Sequence, residues 1–215
     1  MEPQVAPAHY FKEKYVDLNR FISYFYQIDL ALDCLRRGGG ELLEIGIGNA
    51  TVSTYLRRAG VPLVTCDVDG NLNPDHVADV RSLPFPAERF YAVMACEVLE
   101  HLPFDDFERA LAELARVSRE FVIISLPYRS TGFEVVLKFP FLRTLFSRSL
   151  FDVFLRIPLI FRRAGPRGQH HWEIDLFRYP LRRIRAILRR HFAIEREVRP
   201  VLQGYHYFFV LRKLP

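Results

Sequence analysis

Cysteine is scarce in this 215-residue chain: Cys34, Cys66 and Cys96 lie scattered, without CxxC or Cys/His ligand spacing. That excludes a disulfide framework and gives a zinc site no support, so no metal is expected. Also missing is any run of 18 uncharged apolar residues, and no segment reads as a membrane span. Residues 1–7 hold an acid and two prolines where a secretory leader needs a basic start and an apolar run, so a cytoplasmic location is expected. Internal repeats and low-complexity tracts are absent. At 50% hydrophobic residues the chain can bury a full core, and its length suits a single domain over 1–215 with additions, not two domains.

What is present is concentrated in Leu42-Leu43-Glu44-Ile45-Gly46-Ile47-Gly48-Asn49-Ala50, an apolar strand that runs into a glycine loop and then into a helical pattern. Gly46 and Gly48 allow a sharp turn and let a ligand lie against main chain. A loop built for pyrophosphate offers amide donors and the positive end of a helix. Glu44, just ahead of the loop, opposes phosphate and suits a cation such as S-adenosylmethionine, which carries a sulfonium and an ammonium. Asp67 closes a second buried strand 23 residues beyond Glu44, near the distance at which nucleotide folds place a ribose-binding acid. Asp79 then sits in a loop, Tyr91 to Cys96 form the next strand, a helix spans Asp105 to Val117, and Glu120 to Pro127 form the fifth strand.

In this order the segments resemble the class I S-adenosylmethionine-dependent methyltransferases, most closely the type 11 group, over roughly residues 41–127. The resemblance implies an α/β fold: a Rossmann-like, doubly wound, seven-stranded sheet, mostly parallel, with an antiparallel last strand. It assigns Glu44, Gly46 and Gly48, with Asn49, to the methionine half of the cofactor, and Asp67 with Val68 to the ribose. Asp79 and Val80 match the pair that meets the adenine. Cys96, Glu97 and His101 fall in a motif between cofactor and acceptor. Ala50 stands where a third glycine is common. Ser125 and Pro127 match a Ser-x-Pro of the type 11 group and lie one strand too late to be an Asn/Asp-Pro-Pro-Tyr motif.

Around this core of 41–127, residues 1–40 read as N-terminal helices, in which Tyr10, Phe11 and Tyr15 are candidates for a lid over the cofactor. Residues 171–215 read as an amphipathic helix and a closing strand hairpin. Between them, 128–170 is a long insertion, apolar and basic, with eight Lys/Arg against two Asp/Glu. It is expected to be a helical cap, open between an active-site lid, a homodimer contact and a peripheral membrane surface that meets anionic lipid through Arg143, Arg148, Arg156, Arg162 and Arg163. Arg182, Arg183, Arg185, Arg189 and Arg190 fill the polar face of the later helix. Such a face suits RNA phosphates, although no companion RNA module accompanies it and nucleic acid is disfavoured.

The acceptor side is carried by Gln169-His170-His171-Trp172-Glu173. His171, His170 and His101, in that order, are candidates for a general base, since an imidazole titrates near neutrality. Trp172, Glu173 and Tyr128 are candidates for holding the acceptor, with core packing the alternative for Trp172. The expected activity is in-line methyl transfer to a small-molecule or lipid-like acceptor. The alternatives are a non-catalytic S-adenosylmethionine-binding interaction protein and an RNA methyltransferase that uses the basic surface.

Overall fold

The structure is a computed structural model that describes residues 6–11, 17–129, 131–138, 150–157, 166, 168–176 and 178–214. A seven-stranded sheet is built from β1 (Leu42–Ile45), β2 (Leu63–Asp67), β3 (His76–Val77), β4 (Phe90–Cys96), β5 (Ser118–Pro127), β8 (Phe192–Val198) and β9 (His206–Lys213). Its order is β3-β2-β1-β4-β5-β9-β8. Every pairing from β3 to β5 is parallel; β9 runs antiparallel to both β5 and β8, as expected.

The central strands are apolar on both sides because helices cover both faces. On one face, α1 (Leu18–Arg36) and α2 (Thr51–Arg58) set Leu30, Ala31, Cys34, Val52 and Leu56 against Leu42, Ala92, Met94, Phe121 and Phe208. Asp17 caps α1, its carboxylate accepting from the backbone of Asn19 and Arg20. On the other face, α3 (Phe104–Val117) and α4 (Leu181–Leu188) pack Phe107, Leu111, Leu114, Ile184 and Leu188 onto Leu43, Val93, Val122 and Ile124. Cys34 and Cys66 are buried and free, and burial pushes both thiols up to about 12, so they act as core.

The insertion differs from expectation. Its described part is a two-stranded antiparallel ribbon of β6 (Thr131–Lys138) and β7 (Leu150–Ile157), not a helical cap. Apolar residues at both helical and alternating spacing fit either structure. Pairing Val135 with Val153 sets β-branched residues opposite each other across the two strands, which favours this structure. The inner face is held by Arg199, whose guanidinium stacks 3.9 Å from the Phe154 ring centre, and by the Leu202 amide, which donates to Glu134 at 2.9 Å. On the outer face Val135, Leu137, Val153 and Leu155 are exposed. Arg143, Arg148, Arg162 and Arg163 lie outside the described residues, as does Tyr15, while Arg156 falls within β7.

Candidate active site

The carboxyl ends of β1, β2 and β4 open into one cavity of about 550 Å³. The glycine loop forms its floor. Gly46 adopts φ +80, and a Cβ there would lie 2.4 Å from Val98; Gly48 adopts φ +52 and faces the Tyr10 ring. Tyr10 belongs to a short 3-10 helix, Pro7–Phe11, so the described part of the N-terminal segment lies over the loop as a lid would. Asp67 ties loop to strand, one oxygen accepting from the Ile47 amide at 2.8 Å and the other from the Asp69 amide at 2.9 Å.

Glu44, Asp67, Asp69, Glu97 and Glu100 all line the cavity. Five carboxylates make a poor home for pyrophosphate and a good one for a cation. Glu44 is 4% exposed, its Oε2 has no hydrogen-bond partner among the described residues, and burial pushes its carboxyl up to about 8 despite the Ser53 hydroxyl and Arg57 nearby. An ammonium or sulfonium fits that vacant acceptor. Asn49, Val68, Val80 and Cys96 also line the cavity, as the resemblance implies.

Asp79 does not. Its carboxylate is engaged by Arg81, at 3.0 Å through Nε and 2.6 Å through Nη2, and this guanidinium holds it well below the usual carboxylate range. Arg81 also reaches Asp106 at 2.5 Å, so Asp79 fixes the loop that presents Ala78 and Val80.

At the far end, the turn Leu99–His101 that follows β4 meets His170. The His101 and His170 rings stand edge to face with centres 5.0 Å apart. Burial lowers the His101 pKa to about 4, so its imidazole is neutral at physiological pH. His170 Nδ1 lies 2.9 Å from Glu173 Oε1, which also accepts from the Tyr205 hydroxyl at 2.8 Å. Glu173 is fully buried behind these two residues, and it holds them rather than lining the cavity. Burial and the neighbouring Glu97 raise the Glu100 carboxyl well above the usual range.

Three further expected site residues lie elsewhere. The His171 side chain is exposed, outside the cavity lining, and its amide donates to the Glu100 carbonyl at 2.9 Å. Trp172 is a core anchor, fully buried against Phe104 and Phe107, with its indole N–H given to the Leu102 carbonyl at 3.2 Å. Tyr128 packs on Tyr207 and bridges to Ile174, away from the cavity. Residues that sequence reasoning passed over complete the wall: Arg20, Tyr24 and Gln27 from α1, Asp69 after β2, and Tyr205 and His206 at the start of β9. Asp69 was signalled by its place two residues past Asp67 at a strand end; the others read as ordinary amphipathic helix and strand.

Comparison with known proteins agrees with this geometry. A family model described as a methyltransferase domain, of type 11, matches residues 43–126. No match is found among curated proteins. Among solved structures, magnesium protoporphyrin IX methyltransferase from Synechocystis is similar at TM-score 0.60 and 16% identity, over 100% of this chain and 90% of that one. The 1,6-didemethyltoxoflavin-N1-methyltransferase of Burkholderia thailandensis gives TM-score 0.57 and 16% identity, over 100% and 93%. A methyltransferase from Aquifex aeolicus gives 0.59 and 14%, over 98% and 100%. The matched span holds the glycine loop, the β4 motif and β5, so residues 43–126 match a methyltransferase domain of type 11, and the seven-stranded sheet around it has the fold of the methyltransferases compared above.

Proposed function

We propose that the chain transfers the methyl group of S-adenosylmethionine to a small-molecule or lipid-like acceptor bound at the His101–His170 end of the cavity. The observation that carries this is continuity: one cavity joins the vacant acceptor on Glu44 to the histidine pair. S-adenosylmethionine supplies an electrophilic methyl on a sulfonium. Glu44 balances its positive charge, Asp67 and Asp69 offer acceptors for sugar hydroxyls, and Val80 offers an apolar wall. Tyr10 and the 3-10 helix that carries it exclude water from the loop. Holding both reactants at attack distance in such a space is worth roughly 7–11 kcal/mol in favourable cases. His170, steadied by Glu173, and His101 stand where an oxygen acceptor loses its proton. The two small-molecule methyltransferases named above support an acceptor of that class.

Calorimetry tests the cofactor half: S-adenosylhomocysteine should bind and NAD should not. Asp67→Ala removes hydrogen bonds to a charged acceptor, each worth about 1.5–3 kcal/mol, so affinity should fall roughly 10- to 100-fold. Tighter binding of NAD than of S-adenosylhomocysteine overturns the proposal. Binding without turnover on any acceptor would leave a cofactor-binding interaction protein. The RNA alternative loses support because Arg185 is paired with Glu197, Arg190 with Glu108, and Arg183 lies over Phe104.

A second contact is favoured by the ribbon. Its exposed face of Val135, Leu137, Val153 and Leu155 belongs to an insertion with eight Lys/Arg against two Asp/Glu, a net charge of +6, which suits the surface of an anionic bilayer. No helix among the described residues is long and apolar enough to cross a membrane. The protein should sediment with anionic vesicles and detach as salt rises. Equal recovery with neutral and anionic vesicles at low salt removes this contact, and self-association in the ultracentrifuge would assign the face to a homodimer.

A further inference from the structure

We propose that Glu100, His101 and His170 form a binding site for one divalent transition-metal ion at the acceptor end of the cavity. Local sequence spacing hides such a site, because the 3-10 turn after β4 supplies two ligands and the segment beyond the insertion supplies the third. One ligand atom from each of the three residues lies within 4.8 Å of the others.

Glu100 makes the strongest demand for a cation. It is fully buried and lines the cavity, and among the described residues no donor reaches either carboxylate oxygen, its one side-chain neighbour of this kind being the Glu97 carboxyl, with which it can only share a proton. An acid placed so is costly unless a cation answers it. His170 Nε2 comes within 4.0 Å of Glu100 Oε1, which is too long for a hydrogen bond. Two ligands on one ion, each bonded at about 2.1 Å, span up to about 4.2 Å, so the same gap suits a shared metal.

The orientation of His170 supports the same reading. Its Nδ1 is engaged by Glu173, which leaves Nε2 to point toward Glu100. A carboxylate behind a histidine in this way fixes the tautomer that presents a lone pair and is the usual support for a metal-bound imidazole. Tyr205 holds Glu173 in turn. Two imidazoles and a carboxylate suit Zn²⁺, Co²⁺ or Fe²⁺ better than Mg²⁺ or Ca²⁺, which prefer oxygen alone. Glu100, His101 and His170 all line the cavity, so an ion held there would be open to a water or an acceptor oxygen within it. An ion held by these residues would supply Lewis acidity to an acceptor oxygen, whereas in the metal-free protein His170 is the group that takes the proton.

The test uses chelator-stripped protein titrated with Co²⁺ in the absence of cofactor, followed by its visible absorption and by elemental analysis after desalting. The ion should bind at about one equivalent per chain and be displaced by Zn²⁺. His170→Ala and Glu100→Gln should abolish the spectrum, and Glu173→Gln should weaken binding roughly 10- to 100-fold, the effect expected of a supporting carboxylate. Circular dichroism confirms folding; His170 is part-exposed, so its variant remains informative even where Glu100→Gln fails to fold. Absence of stoichiometric binding, or binding by His170→Ala as tight as by the parent, overturns the proposal and assigns the Glu97–Glu100 pair a shared proton. Because no cofactor is present, the result is independent of the methyl-transfer reading.

Discussion

Glu44 couples the cofactor site to pH. Its folded value of about 8 stands above the ordinary 4.5, so the folded chain without cofactor keeps a proton that the unfolded chain releases. The stability from that proton is fully present below about pH 4.5 and is lost as pH rises toward 8. A cation in the cavity reverses the preference. Affinity for S-adenosylhomocysteine, which keeps the ammonium, should therefore rise with pH up to about 8, with proton release visible as buffer-dependent heat. Glu44→Gln should flatten both trends; an unchanged pH slope in the variant would show that another group is responsible. Ala50 offers a second residue-scale prediction. It holds φ 56 at the start of α2 without a side-chain cap, a conformation that suits glycine. Ala50→Gly should stabilise the chain by about 1 kcal/mol in urea denaturation, since the left-handed strain is of that order. The departure from the third glycine was legible in the sequence, whereas the strain was not.

At the scale of elements, the glycine loop, β1, β2, β4 and β5 were legible because buried strands and a loop that needs glycine leave few alternatives. The β3 strand, His76–Val77, was too short to show a period. The two described strands of the insertion, β6 and β7, stand where a helical cap is expected, because apolar density without a decisive period cannot separate helix from strand. The acceptor segment was half legible. Its cluster of polar and aromatic side chains does meet the cavity, but alternate residues turn opposite ways: His170 inward, His171 to solvent, Trp172 into the core, Glu173 behind His170. Sequence gives the cluster, and only the backbone direction gives the assignment. His170→Ala should lower turnover by 10²- to 10⁴-fold, the typical weight of a proton-handling group, while His171→Ala should leave it within about twofold, a change near 0.4 kcal/mol. Steady-state rates with a true acceptor check the pair, and a larger loss in His171→Ala would return the role to the exposed histidine.

For the whole molecule, the strand order carries a consequence for how the chain is made. β9 lies inside the sheet, between β5 and β8, yet it emerges after every other strand, and the residues at its start, Tyr205 and His206, wall the cavity. During synthesis β5 therefore waits with an open hydrogen-bonding edge while the whole ribbon insertion passes. Bare apolar edges recruit other chains, and pairings so distant in sequence form slowly. Nascent chains halted before residue 206 should be held by chaperones or aggregate, and refolding yield should fall with protein concentration more steeply than for a sheet whose interior is finished early. The same arrangement is a safeguard: a truncated product has no complete pocket, and an unfinished chain cannot begin to use the cofactor.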